Sequence, residues 1–570
     1  MSVSRRSFLR LATATPWLPG LGPLASSSLW AQHRETRLPR GLPEEQGVDS
    51  RGLLALLEGL AAANLHLHSL MLVRHGRVVA QGWWAPYAPH LRHTMYSLSK
   101  SFCSTAVGLA AAEKRLSLDD KVVSFFPHDL PEMVGPHLAE LRVRHLLMMG
   151  TGHAGDSLFG PGFTVAEKNW VRSVLSRPIE HPPGTHFAYN NGATFLCSAI
   201  VQQATGQTLL DFLNPRLFAP LGIADADWER NPAGMNHGAF GLRVRTEDIA
   251  KLGQLYLAQG VWDQQPVLTA DWVREATIKQ IENAPANDLA RRETSDWAQG
   301  YGYQFWRCRH GAFRGDGAFG QYCVVLPDQQ TVLAITSETN DLQGVLNEVW
   351  KHLLPALSPQ PLPANPQSSG QLRERLAALS LPVPAGKTGS PRGPHIDRRV
   401  YAMAENSLGI NRVSLVLRDG RGRLSLETPQ GDQGVEFGLG RWLAGDTTFS
   451  PVPLHLVSTL ADRRHATSAA AAWADDDTLI IDWRFSETAH GQRLTCRWEG
   501  EELQLAFERS SSQLNPAVKD PRPVLRGSCV SATGRHPARG ITPGPPGQTR
   551  GDIPRDSTPA VPAGPVTTVW

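Results

Sequence analysis

Ser97 and Lys100, within Met95-Tyr-Ser-Leu-Ser-Lys-Ser-Phe102, put a hydroxyl and an amine three residues apart. Residues i and i+3 share a helix face, so the amine can lie beside the hydroxyl. A serine hydroxyl becomes a nucleophile when a neighbouring base takes its proton, and a lysine is such a base when burial lowers its pKa. The same spacing also arises from a serine helix cap followed by a surface lysine, so S-x-x-K alone decides nothing. A second element, Tyr189-Asn-Asn191, follows Pro182-Pro183 and precedes the apolar run 192–204, which stops near Gly206. Its periodicity predicts a helix with Tyr189 and Asn191 on the loop before it. From there a phenol can relay a proton, and an amide can orient Lys100 or hold a carbonyl. A third element, Arg314-Gly-Asp-Gly-Ala-Phe-Gly-Gln-Tyr322, leads into two strand-like runs with a turn at 328–330. Gly315, Gly317 and Gly320 leave a backbone that a ligand can approach, and an edge strand there can donate an N–H to an oxyanion.

The surrounding sequence must position these groups. Residues 104–110 are small and apolar, which predicts a buried central helix. Runs at 67–80, 301–307, 320–326 and 331–337 predict strands of one antiparallel sheet, and 345–353 predicts a closing helix. Together they predict an α+β domain over residues 40–355, an antiparallel sheet flanked by helices plus a helical lobe. Residues 356–398 read as a proline-rich linker with a short helix at 371–380. From about residue 400 the apolar period becomes two, at 413–418, 423–427, 479–485, 493–498 and 502–507. This predicts a small all-β domain over 399–510. Residues 511–570 are rich in Pro, Gly and Arg, and a disordered tail is expected.

Ser97-x-x-Lys100, Tyr189-x-Asn191 and Gly315-Asp316-Gly317, in that order, resemble the serine β-lactamase and penicillin-binding-protein superfamily. The wider set is similar to its class C-like esterase and 6-aminohexanoate-dimer hydrolase branch. Leu118–Val122, Val143–Gly152 and Gly241–Gly253 are further stretches that look alike. The resemblance implies a β-lactamase-like fold and acyl-enzyme chemistry without metal or cofactor. Ser97 would be acylated, Lys100 and Tyr189 would share the proton traffic, and Asn191 would give polar support. The N–H groups of Ser97 and Ala318 would form the oxyanion hole, with Gly317 keeping the strand open. The Tyr189 phenol is expected to gain acidity from the adjacent ammonium. Lactamases of the superfamily carry K-T-G at the third element, where the lysine attracts a substrate carboxylate. Here the triplet lacks the cation and adds Asp316. A small ester, amide or peptide is therefore the expected substrate class, ahead of a β-lactam or a D-Ala-D-Ala peptide. An inactive binding module is a third reading. A literal Lys387-Thr-Gly389 lies between Pro384 and Pro391 and reads as linker, since proline cannot donate to a central strand ladder.

Residues 1–31 carry adjacent Arg5 and Arg6 ahead of a modest apolar region, and resemble a twin-arginine export signal. Export machinery is then a partner, and the periplasm or exterior the expected location. No run is long and apolar enough to predict a stable membrane span. A net charge of +3 with no basic-aromatic repeat argues against nucleic-acid work. Six cysteines make no disulfide framework, although Cys308 and Cys323 flank the glycine-rich turn and can bridge it. His181, His186 and His310 lie near the site elements in sequence and read as structural or surface residues ahead of catalytic ones, with His310 the one worth a test because its strand leads into the third element.

Overall fold

The computed structural model describes residues 37–159, 163–164, 166–285, 287–449, 464–514 and 519–530. The expected export signal and most of the expected tail lie outside the described residues. A six-stranded antiparallel sheet runs in the order Arg77–Trp83, Leu67–Arg74, Thr331–Ser337, Gln321–Leu326, Phe313–Gly317 and Trp306–Arg307. The first hairpin turns through His75 and Gly76, both at positive φ, as a tight two-residue turn requires. Leu67–Arg74 is buried along its whole length, because both sheet faces are covered. Its side chains alternate between two cores. Met71 and Val73 face the helical lobe, while Leu70 and Leu72 face the helix Ser50–Ala62 and the closing helix, with Val345 and Leu346. The outermost strand is shorter than expected. Only Trp306–Arg307 is extended, with Gln304 at positive φ just before it.

The helix Ser99–Ala112 is the spine of the lobe. Every residue from Ser99 through Ala110 is buried, as its small side chains allow. Asn191–Thr205 packs beside it, opened by the Asn190 side chain accepting the Ala193 N–H and closed by Gly206 in the left-handed region.

The stretch between the two domains packs instead of hanging free. Its helix Pro366–Ala377 buries Leu372 with the sheet's outer core, and Ala85 N–H donates to the Leu379 carbonyl. The all-β domain is an eleven-stranded barrel spanning Val400–Cys529. Trp473, Trp483, Leu494 and Phe507 fill its centre, and strand Thr478–Phe485 alternates between buried and half-buried positions. Its last strand corrects the boundary at 510. Leu525–Cys529 pairs with Glu502–Leu505 and with Tyr401–Met403, closing the barrel. Proline- and arginine-rich neighbours hide this five-residue strand in the sequence. Lys387 bonds the backbone of Trp473 at the barrel and its amine is exposed. Among the described residues no helix is long and apolar enough to cross a membrane.

Candidate active site

Ser97 sits in a tight turn, Tyr96–Leu98, that feeds directly into Ser99–Ala112. Lys100, one helical turn on, is 1% exposed. Its Nζ lies 3.0 Å from Ser97 Oγ, 2.8 Å from Asn191 Oδ1 and 3.0 Å from the Ala239 carbonyl oxygen. It also lies 4.8 Å from the centre of the Tyr189 ring. All three oxygen partners are neutral. Burial pushes the Lys100 amine down to about 7, and Asp156 and Asp316 oppose that shift from farther off.

Tyr189 lies on the loop ahead of Asn191–Thr205, its ring stacked on Trp306 at 5.5 Å. Its expected gain in acidity does not occur. Burial, with Asp316 next, pushes the phenol well above its ordinary value, so Tyr189 stays protonated. Asn191 is aimed by a residue that sequence reasoning missed. Asp156 accepts from the Asn191 side-chain amide at 2.7 Å and from its backbone N–H at 2.9 Å. The Ala239 carbonyl was missed as well, since a backbone acceptor leaves no side-chain signature.

The glycines of the third element have a packing role that corrects their expected one. A Cβ on Gly315 would meet Leu98 Cδ1 and Ser101 Oγ, and one on Gly317 would overlap the Met95 carbonyl. They let the strand lie against the Ser97 turn; the space above them is filled by protein. Beyond Arg314 the strand has no ladder partner on its outer side among the described residues, because Trp306–Arg307 reaches only Phe313 and Arg314. Ala318 follows directly, packed with Tyr96.

Asp316 is not the free anion the sequence implies. It faces away from the Gly315 and Gly317 side; its Oδ2 accepts from Arg314 Nε at 2.9 Å and lies 2.8 Å from Arg314 Nη2. Arg314 is fully buried over the Trp297 ring. A buried ion pair leaves little net charge to repel a substrate.

The Cys308–Cys323 bridge is absent and both thiols are free. They sit on opposite faces of the sheet, Cys308 against Arg314 and Cys323 donating to the Ile249 carbonyl. His181 and His186 stack on each other, and His310 lies against Trp350. Among the described residues no group of three His, Cys, Asp or Glu is arranged to hold a metal ion.

The 6-aminohexanoate-dimer hydrolase of Paenarthrobacter ureafaciens is 24% identical over 292 residues, 48% of this chain and 73% of that protein. Protein flp of Staphylococcus aureus is 22% identical over 188 residues, 31% of this chain and 38% of that protein. Among solved structures, a penicillin-binding-protein homologue from Caulobacter crescentus superposes with a TM-score of 0.46 at 15% identity, over 56% of this chain and 99% of that one. The family model described as Beta-lactamase matches residues 58–356, just over half of the chain. That region holds the sheet, the Ser97 turn, Lys100, Tyr189 on its loop and Asn191 at the start of the helix behind it, and the chain belongs to the Beta-lactamase family.

Proposed function

We propose that the protein is a serine hydrolase that cleaves a small carboxylic ester or amide through an acyl-enzyme on Ser97. The observation that carries this reading is the Lys100 amine, buried 3.0 Å from Ser97 Oγ and brought to about 7 by burial. In its neutral form the amine donates to the Asn191 amide oxygen and the Ala239 carbonyl, which can only accept. Its lone pair is then left for the Ser97 hydroxyl.

Lys100 takes the Ser97 proton as Oγ bonds to the substrate carbonyl carbon, and the carbonyl electron pair moves onto oxygen. The N–H groups of Ser97 and Ala318 receive that oxyanion. As the tetrahedral centre collapses, the alcohol or amine leaves with the proton, passed from Lys100 through the neutral Tyr189 hydroxyl. Water then attacks the acyl carbon, again giving its proton to Lys100. The acid departs and Ser97 regains its proton.

The substrate class rests on the missing cation at Gly315, since paired Asp316 contributes little repulsion. The resemblance to an enzyme named for hydrolysing 6-aminohexanoate dimer adds weight to linear amides. Residues 1–31, read as an export signal, would deliver the enzyme to the periplasm or exterior. Mature protein treated with a fluorophosphonate should carry the adduct on Ser97 in a peptide map. A preparation that turns over substrate yet shows no Ser97 adduct contradicts the reading. In parallel assays, p-nitrophenyl esters or linear amides should exceed nitrocefin and D-Ala-D-Ala peptides in kcat/KM. The reverse order overturns the substrate class.

A further inference from the structure

The residue before the nucleophile candidate has an unusual conformation and an unusual partner. Tyr96 is a non-glycine residue at φ 48°, in the left-handed region that bulky side chains avoid. Such a backbone persists only where its surroundings fix it. The Tyr96 hydroxyl pairs with His490 Nε2. His490 lies in the hairpin between barrel strands Thr478–Phe485 and Gly491–Glu499. On the other side of the ring, His490 Nδ1 lies 2.7 Å from Glu338 Oε1. Glu338 is 1% exposed, follows the sheet strand Thr331–Ser337, and also receives Arg484 Nη1 at 2.6 Å.

The carboxylate can only accept, so Nδ1 carries a proton, and a neutral ring leaves Nε2 to accept the Tyr96 O–H. Ala489, fully buried, packs with Tyr96 and Ala318. The same hairpin is held by the hydrolase domain at several further points. Tyr87 and Thr94 hydroxyls donate to the Thr488 and Glu487 carbonyls, and Arg92 and Arg243 donate to the Glu487 carboxylate. One barrel hairpin thus touches both backbone segments, at Tyr96-Ser97 and Ala318, whose N–H groups would meet an oxyanion.

We propose that the barrel hairpin 486–490 is a positioning element for the active site, with Glu338 and His490 holding Tyr96 so that the Ser97 peptide is correctly aimed. The barrel is then part of the hydrolase's working structure and more than an appended module. The idea rests on the Ser97 acyl-enzyme reading. It makes His490 and Tyr96 positioning residues that act through Ser97.

Full-length Tyr96→Phe, His490→Ala, His490→Gln and the double variant Tyr96→Phe/His490→Ala would be compared with the native chain. The readouts are the rate of Ser97 labelling by a fluorophosphonate, kcat and KM on a p-nitrophenyl ester, and Tm. Tyr96→Phe and His490→Ala should each slow labelling and kcat by about ten-fold, as small misplacements of reacting groups do. KM should stay within about two-fold, because binding groups elsewhere are untouched. The double variant should be no slower than either single variant, since both break one chain of bonds. Gln at 490 can still meet the Tyr96 hydroxyl and should recover part of the rate. Native labelling rates in Tyr96→Phe, or losses that add in the double variant, overturn the proposal. If His490→Ala does not fold, Tyr96→Phe decides alone. A native chain that never labels at Ser97 defeats the acyl-enzyme reading instead, which separates the two failures.

Discussion

Lys100 and Lys251 are equally buried, each 1% exposed, yet their surroundings differ in kind. Lys251 lies in the helix Thr246–Leu257 with its Nζ 3.3 Å from the Asp248 carboxylate and 2.8 Å from the Gly222 carbonyl. It is tied into a structural ion pair. Lys100 has no carboxylate at ion-pair distance among the described residues. Its partners are a hydroxyl, an amide oxygen and a backbone carbonyl, and Asp156 acts on it from one side chain away, through Asn191. Burial without a direct counter-charge favours the neutral amine, the form a base requires. Burial with one builds structure. The difference lies in what the amine faces, since depth is the same.

The largest effect should come from removing the proposed base. Lys100→Ala should lower kcat by about 10²–10⁴-fold, in the range of general-base contributions, with KM little changed. Steady-state kinetics on a p-nitrophenyl ester checks this. Lys251→Met should do the opposite, leaving kcat per folded molecule intact while Asp248 stays buried without its partner. Breaking such a pair costs about 3–5 kcal/mol, readable by urea denaturation. Loss of catalysis in a well-folded Lys251→Met protein would break the comparison. Gly317→Ala sits between the two cases. Its Cβ would press on the Met95 carbonyl, costing about 1–3 kcal/mol and displacing the strand from the Ser97 turn. The smallest effect belongs to Lys387→Ala. That lysine is 74% exposed beside Asp476, so stability should move by no more than about 0.5 kcal/mol and kcat should not change.

Lys387 also illustrates what the sequence could not rank by letters alone. Its K-T-G is the literal superfamily triplet, but its proline flanks already spoke against a central strand. The elements of the site were legible where chemistry and local period coincide. Ser97 and Lys100 are one helical turn apart, and Asn191 opens a helix that a glycine ends. The sheet was legible because its strands are long apolar runs, as at Leu67–Arg74 and Thr331–Ser337. What stayed hidden depends on contacts between remote segments. Asp156 lies 35 residues from Asn191, the Ala239 carbonyl 139 from Lys100, and His490 394 from Tyr96. Arg314 neutralises Asp316 only because strand alternation puts both on one face. The free thiols Cys308 and Cys323 are near in sequence, but a sheet lies between them. The final barrel strand is too short and too polar in its flanks to announce itself.

The central claim is that Lys100 is the base for Ser97, and the pH dependence of Ser97 labelling by a fluorophosphonate tests it most directly. The reactive form needs Lys100 without its proton, so the rate must rise with pH. With the amine brought to about 7, the rate should climb through neutrality with its midpoint there and be level above about pH 9. That limb should vanish in Lys100→Ala. A rate that keeps climbing toward the ordinary lysine value of 10.5, or a neutral midpoint that survives in Lys100→Ala, would contradict the account.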